Sequence, residues 1–77
     1  MITPILCRAA RSLVGWSQAQ LATASNLGES TIRDYEAGRR VPTPNNLAGI
    51  QRALQVEGVT FLEDDGRGPG LRFKPAR

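Results

Sequence analysis

Two short helical patterns separated by a tight break constrain this sequence more than any other feature does. The first lies in residues 17–25 and the second in residues 29–37. Asn26 lies in the break, and asparagine tolerates the left-handed backbone that ends a helix better than most residues do. Gly38 ends the second pattern, and two arginines follow it. The pattern therefore predicts two helices that pack against each other across a short turn.

Helices joined by so short a turn are typical of the helix-turn-helix unit, whose second helix can enter the major groove of DNA. The spacing of apolar residues and the capping residues predict two further helices around this unit. The four predicted helices cover residues 4–14, 18–25, 29–37 and 44–56, with Thr3, Ser17, Gly28 and Thr43 as their N-caps. The apolar face of the first helix is predicted to consist of Leu6, Cys7, Ala10, Leu13 and Val14.

Residues 58–77 differ in character from the helical part. Two short runs, 59–62 and 71–74, are rich in apolar residues and flank a loop that contains Gly and Asp. They predict a short C-terminal β-hairpin, with a disordered tail as the alternative. Because a lone two-stranded ribbon is marginal in water, the hairpin must pack on the helices or pair with a second copy. We therefore predict a helix-turn-helix DNA-binding domain in residues 1–57 and treat the remainder as a possible dimerisation element. The candidate interface residues are Val59, Phe61, Leu71 and Phe73.

The composition argues against several classes of function. A single Cys allows no internal disulfide, and the absence of His removes the usual zinc ligand and the commonest general base. We therefore expect no metal, no cofactor and no enzymatic activity. No apolar run approaches the roughly 18 residues that span a membrane, and residues 1–8 lack the pattern of a secretory signal. These features predict a cytoplasmic, nucleoid-associated protein.

The positive charge is concentrated in the helical part of the chain. Residues 1–56 contain six basic and three acidic residues, a net charge of +3, whereas residues 57–77 contain four of each. Nine of the ten basic residues are Arg, whose planar guanidinium suits bidentate contacts with phosphate and guanine. The excess thus lies on the predicted DNA-binding part, but a net charge of +3 is ordinary for a soluble protein and, taken alone, does not favour a nucleic-acid partner.

The sequence resembles the helix-turn-helix family of Cro and phage-repressor type, the XRE family. The resemblance covers roughly residues 5–56, and its strongest stretch is residues 16–22. Further matches follow at Leu27, Ile32, Glu36, Gly38 and Pro42. Each element is weak alone, but their combination at these spacings, with no gaps, is specific. The resemblance implies a mainly α, compact four- to five-helix lambda-repressor-like fold, a homodimer, and double-stranded operator DNA as the ligand.

The resemblance and the helix-turn-helix geometry together indicate the DNA-binding residues. In such units the N-terminal residues of the second helix, the recognition helix, contact base edges. The family's loop after this helix grips the sugar-phosphate backbone. The resemblance implies that Gln18 reaches a phosphate and braces the recognition helix, and its place at a helix N-terminus is favourable for an anion. The candidate DNA-binding residues are Gln18, Glu29, Ser30, Thr31, Arg33, Asp34, Arg39 and Arg40.

The recognition helix is predicted to expose two carboxylates, which the negative charge of DNA would repel. Glu29 or Asp34 could accept a hydrogen bond from the N4 amine of cytosine, and Arg33 could contact a phosphate or a guanine. Ser30 could serve either a base edge or a phosphate. The alternative is that Arg33 pairs with Glu29, its i−4 neighbour, on a solvated helix face.

Arg11 and Glu36 match a pair that joins the first helix to the end of the recognition helix in the family. The resemblance therefore implies a partly buried ion pair that holds the recognition helix in its docking pose. Such a pair adds little net stability, because the loss of hydration offsets the Coulomb attraction. Solvent-exposed, unpaired charges at these two positions are the alternative.

The sequence as a whole predicts a small transcriptional regulator that represses its target by occupying an operator as a homodimer. A protein of another class is the alternative. In that hypothesis the chain is an antitoxin-like protein that binds a toxin through its C-terminal segment and also binds its own promoter.

Overall fold

Residues 2–76, which the computed structural model describes, form four α-helices followed by a two-stranded antiparallel ribbon. The helices are α1 (Pro4–Val14), α2 (Gln18–Ser25), α3 (Glu29–Glu36) and α4 (Pro44–Val56), and the strands are β1 (Val59–Leu62) and β2 (Gly70–Phe73). The predicted mainly α fold with a C-terminal hairpin is confirmed. Helix α3 ends one residue earlier than predicted, and β2 is shifted by one residue towards the N-terminus.

Side-chain caps set where the helices begin. The hydroxyl oxygens of Thr3, Ser17 and Thr43 each accept a hydrogen bond from the backbone N–H three residues later, at 3.1–3.2 Å. These caps satisfy N–H groups that have no partner inside the helix, and all three were predicted. Gln20 adds a contact that the sequence analysis missed, because its Oε1 accepts from the Ser17 N–H at 2.8 Å and completes a capping box.

One apolar core joins the helices to the ribbon. Helix α2 packs against both α3 and α4, and α1 packs across α3 and α4. The largest fully buried side chains come from α1, α2, α3, α4 and β1: Cys7, Leu21, Ile32, Ile50, Leu54 and Val59. Leu13 was wrongly assigned to the core-facing side of α1, because it is 47% exposed while Cys7 and Ala10 are fully buried. No helix in residues 2–76 is long and apolar enough to cross a membrane.

The apolar face of the ribbon lies on the helices of its own chain. Val59 pairs with Phe73 and Phe61 with Leu71, so all four side chains share one face of the ribbon. Strand β1 contacts α4, and β2 contacts α1. Val59 is buried, and the other three side chains pack against the core while half-exposed. A role for these four residues between two copies stays a prediction, and Val59 has little surface left for it.

Gly58 allows the chain to pass from α4 into the ribbon. Its φ of +108° lies in the region that residues with a Cβ disfavour. Its carbonyl oxygen accepts a hydrogen bond from the Lys74 N–H at 2.9 Å, which ties the start of β1 to the residue after β2. A Cβ at this position would overlap the carbonyl group of Lys74. Both the dihedral angle and the close approach therefore require glycine.

We expect Gly58→Ala to destabilise the protein more than Gly66→Ala does. Gly66 has a similar φ of +99°, but its Cβ position has no atom within 4 Å. The control should therefore lose only the roughly 1–2 kcal/mol of left-handed strain, whereas Gly58→Ala should lose about 2 kcal/mol more through the overlap. Urea unfolding followed by circular dichroism measures both. Equal losses would show that the chain does not approach Gly58 as closely as described.

Candidate nucleic-acid interface

The turn between α2 and α3 is held by backbone hydrogen bonds. Asn26 adopts the left-handed conformation, with φ of 59°. Its N–H donates to the Thr23 carbonyl at 3.2 Å, and the Leu27 N–H donates to the Ala22 carbonyl at 2.9 Å. This pair of bonds is the Schellman motif, which ends a helix and redirects the chain. Leu27 then packs against the core, so the direction in which α3 leaves the turn is fixed.

Helix α3 has one face in the core and one in solvent. Its buried residues are Ile32, Tyr35 and Glu36. The exposed residues on the other side are Glu29, Ser30 and Arg33, while Thr31 and Asp34 are half-buried at the margins. The predicted base-reading residues therefore lie together on the free side of the helix or at its edges. Their roles towards DNA stay predictions.

A buried carboxylate joins α3 to the two preceding helices. Glu36 Oε1 accepts from Arg11 Nη2 at 2.8 Å and from Gln18 Nε2 at 3.1 Å. Its Oε2 accepts from Arg11 Nε at 2.9 Å and from the Cys7 thiol at 3.3 Å. The side chain of Glu36 is 3% exposed and that of Arg11 is 18% exposed. The implied ion pair between Arg11 and Glu36 is therefore present, and it is bidentate.

The network also fixes the start of α2. Arg11 Nη1 donates to the carbonyl oxygen of Trp16 at 3.0 Å, just before the Ser17 cap. Gln18 is the first residue of α2 and donates its amide to Glu36, so it connects the start of α2 to the end of α3. Its contact with a phosphate stays a prediction. The donor role of Cys7 was not anticipated, because its position in the sequence indicated only a small apolar side chain.

Burial and hydrogen bonding shift the ionisation of this cluster. Burial opposes the charged form of Glu36, but the hydrogen bonds from Arg11, Gln18 and Cys7 together outweigh it and lower its pKa. The same bond to Glu36 raises the pKa of Arg11. Burial, together with the neighbouring Glu36 carboxylate, raises the pKa of the Cys7 thiol far above its usual range. Burial also raises the pKa of Tyr35 to about 12. Glu36 and Arg11 are therefore charged, and Cys7 and Tyr35 neutral, at physiological pH.

The two arginines after α3 have different surroundings. Arg39 Nη1 lies 3.2 Å from Asp34 Oδ1, and the side chains of these two residues are 69% and 30% exposed. Arg40 is exposed and forms no ion pair with any residue in the described part of the chain. The alternative pair between Arg33 and Glu29 is likewise not formed among residues 2–76.

An open groove of about 300 Å³ lies beside the start of α2, between α1 and α3. Its lining residues are Arg8, Arg11, Gln18, Arg33, Glu36 and Ala37. Arg8 is exposed and was not singled out by the sequence analysis, because only the fold brings α1 next to the recognition helix. Three guanidinium groups against one carboxylate make the groove suitable for an anion. No group of three or more Cys, Asp or Glu side chains in residues 2–76 is placed to hold a metal ion.

Comparison with known proteins matches most of this chain to one family. A family model described as "Helix-turn-helix" covers residues 8–61, from the second turn of α1 to β1. The multiprotein-bridging factor 1 of Eremothecium gossypii is 46% identical over 43 residues, which are 56% of this chain and 28% of the relative. That of Candida albicans is 46% identical over 41 residues, 53% and 27% of the two chains. That of Schizosaccharomyces pombe is 34% identical over 47 residues, 61% and 32%. The matches thus span about a third or less of these relatives.

Removing Arg11 alone should destabilise the protein more than removing Arg11 and the charge of Glu36 together. Arg11→Met leaves a carboxylate that is 3% exposed without its cation, and we expect a loss of about 3–5 kcal/mol. In Arg11→Met/Glu36→Gln no buried charge remains, so part of this loss should be recovered. Urea unfolding of both variants and of Glu36→Gln provides the comparison. If the double variant loses the sum of the two single losses, Arg11 and Glu36 are not coupled.

The free energy of unfolding should fall in mild acid because of Glu36. Its folded pKa is lowered, so its contribution is complete above the unfolded value of about 4.3 and is lost as the pH falls through the folded pKa. Between these two values the unfolded chain binds the proton and the folded chain does not. Glu36→Gln should be less stable at neutral pH and should show a smaller loss of stability below about pH 4.3. Parallel stability curves for the two proteins would contradict this assignment.

Proposed function

Because this chain belongs to the helix-turn-helix family of Cro and phage-repressor type, a family of DNA-binding transcription regulators, we propose that it represses transcription by occupying a specific operator in duplex DNA. The single observation that carries the proposal is the rigid attachment of α3. Four hydrogen bonds to Glu36 fix its inner side, while Glu29, Ser30 and Arg33 remain free on its outer side. A helix presented in this way can read base edges with the side chains on its outer side.

The surrounding charges support contacts with the DNA backbone. Arg40 is free for a phosphate, and Gln18 and Arg8 lie at the groove beside α2. Contacts of this kind orient a protein on the duplex without reading the sequence. We therefore assign base reading to the outer side of α3, which includes Arg33, and backbone positioning to Arg8, Gln18 and Arg40. Thr31 is half-buried, whereas Glu29, Ser30 and Arg33 are exposed, so it is a weaker candidate than these three.

A homodimer is part of the proposal, because one domain of this size contacts few base pairs. Two-fold symmetry would present two recognition helices about 34 Å apart and double the contacts. The ribbon remains the proposed interface, through its open strand edges and the half-exposed Phe61, Leu71 and Phe73. Val59 supports this interface only indirectly, because it anchors the ribbon to its own chain.

A second candidate function is the binding of a partner protein in addition to DNA. The name of the relatives, multiprotein-bridging factor, favours this possibility. The similarity covers about a third or less of those proteins. The binding of a partner protein therefore has less support than DNA binding, which rests on the family model. A toxin bound by residues 58–77 is a special case of this candidate. It has less support, since the apolar face of the ribbon packs on α1 and α4.

Selection of bound duplexes from a random pool tests the proposed function. We expect enrichment of one site with two inverted half-sites whose centres are about 10 base pairs apart, because two symmetric recognition helices bind one helical turn apart. Ser30→Ala and Arg33→Ala should relax the preference at individual positions, and each should cost about 1–3 kcal/mol of discrimination at the base that the side chain reads. Arg52→Ala is the control, because Arg52 is an exposed arginine on α4.

Three results of the selection would each remove a different part of the proposal. No enrichment with the wild-type protein would contradict sequence-specific DNA binding. Enrichment of a single half-site would contradict the homodimer. An identical site selected by the wild type and by Ser30→Ala/Arg33→Ala would remove these two residues from base reading.

A further inference from the structure

The end of α3 makes Arg39 and Arg40 unequal, although they are adjacent in the sequence. Gly38 adopts a φ of +76°, and its N–H donates to the Tyr35 carbonyl at 3.0 Å. The Arg39 N–H donates to the Asp34 carbonyl at 2.9 Å. These are the two bonds of a Schellman motif. They fold Arg39 back onto the last turn of the recognition helix, and Arg40 lies one residue beyond it.

In this motif, the two residues joined by the longer-range bond commonly make an apolar contact. Helix α2 ends in the same pair of hydrogen bonds, and the corresponding residues there are apolar, Ala22 and Leu27. At the end of α3 the two positions are occupied by Asp34 and Arg39. Their side chains form an ion pair, with Nη1 3.2 Å from Oδ1. A charged pair thus occupies the place of an apolar contact, on the helix that faces the DNA in the proposed function.

The pair changes what Asp34 can do near DNA. Asp34 follows Ser30 by one helical turn, at the edge of the exposed face, and a lone carboxylate there would be repelled by phosphates. Arg39 neutralises it and occupies Oδ1. Oδ2 accepts no hydrogen bond within residues 2–76, so one acceptor remains available. A carboxylate oxygen held in this way suits an exocyclic amine in the major groove, such as the N4 amine of cytosine.

We propose that Asp34 and Arg39 act as one specificity unit. Asp34 accepts a hydrogen bond from a base amine through Oδ2, and Arg39 is a positioning residue that orients and neutralises Asp34. Arg39 is therefore not an independent phosphate contact, and that role belongs to Arg40. The inference rests on the proposed function, because it specifies how the same recognition helix discriminates between bases.

A double-mutant cycle tests this unit, with affinities measured for the selected site and for a scrambled duplex. The variants are Asp34→Ala, Arg39→Ala and their combination. The chain supplies a matched control in Asp65 and Arg67, an exposed ion pair in the hairpin loop whose removal changes the net charge equally. The control variants are Asp65→Ala, Arg67→Ala and their combination. Circular dichroism confirms that each variant is folded.

We expect Arg39→Ala to weaken binding to both duplexes, because it leaves the Asp34 carboxylate unpaired in the negative field of DNA. The double variant should recover affinity for the scrambled duplex to within about twofold of the wild type, because no unpaired charge remains. It should not recover the preference for the base that Asp34 reads. Asp34→Ala should bind the scrambled duplex more tightly, because Arg39 is then free to contact a phosphate.

The dependence of affinity on salt separates the two roles of Arg39. If Arg39 contacted a phosphate, Arg39→Ala would make the negative slope of log affinity against log salt less steep by about 0.9. Its loss of affinity between about 50 and 200 mM salt would then be about 3.5-fold smaller than that of the wild type. The specificity unit predicts no more change than in Arg67→Ala. The inference would be overturned if the slope of Arg39→Ala were less steep by about 0.9 than that of Arg67→Ala and the double variant recovered no affinity for the scrambled duplex. Sequence-specific binding would remain intact in that case.

The pair is also measurable without DNA. Asp34→Ala should shift the Nε–Hε resonance of Arg39 in the NMR spectrum of the free protein and leave that of Arg67 unchanged. An unshifted Arg39 resonance would overturn the pair itself. A wild-type protein that selects no DNA site would instead overturn the proposed function, and with it the reading role of Asp34.

Discussion

The buried carboxylate of Glu36 is the group on which the arrangement of the first three helices depends. It lies on the inner side of the recognition helix and accepts hydrogen bonds from Cys7 and Arg11 of α1 and from Gln18 of α2. Removing a carboxylate from water is costly, so the group is tolerated only because its partners are in place together. We therefore expect the interaction to contribute less to the net stability than to the uniqueness of one orientation of α3, which is the property a base-reading helix needs.

The ends of the helices were predicted well, because they depend on residues that are close together in the sequence. The predicted N-caps at Thr3, Ser17 and Thr43 and the left-handed residue Asn26 were confirmed, since each depends on atoms within a few positions along the chain. The capping box was overlooked, although the spacing of Ser17 and Gln20 signals it. The Arg11–Glu36 pair was implied by the family resemblance and not by the residues themselves. The structure places the two side chains in an ion pair, with Arg11 Nη2 2.8 Å from Glu36 Oε1.

The unpredicted features depend on contacts between distant segments or on the direction of a side chain. Leu13 is apolar, but its position around α1 turns it towards solvent. The ribbon could satisfy its apolar face equally well on its own helices or on a second copy, and nothing in its sequence distinguishes the two. Arg8 lines the groove beside the recognition helix only because α1 lies next to α3. The contact of Asp34 with Arg39 depends on the Schellman motif at the end of α3. The spacing Asp-x-x-x-Gly-Arg does not predict this contact unless the backbone conformation is known.

The buried thiol of Cys7 is a natural probe of local opening in this core. It is the one cysteine in the sequence, it has no exposed surface, and its proton is directed at Glu36. A thiol-modifying reagent can reach it only when the core around α1 opens, and burial keeps it in the unreactive protonated form until then. The rate of its modification therefore reports how often the core around Cys7 opens. The single thiol thus provides, without any added label, a probe of the contact between α1 and α3.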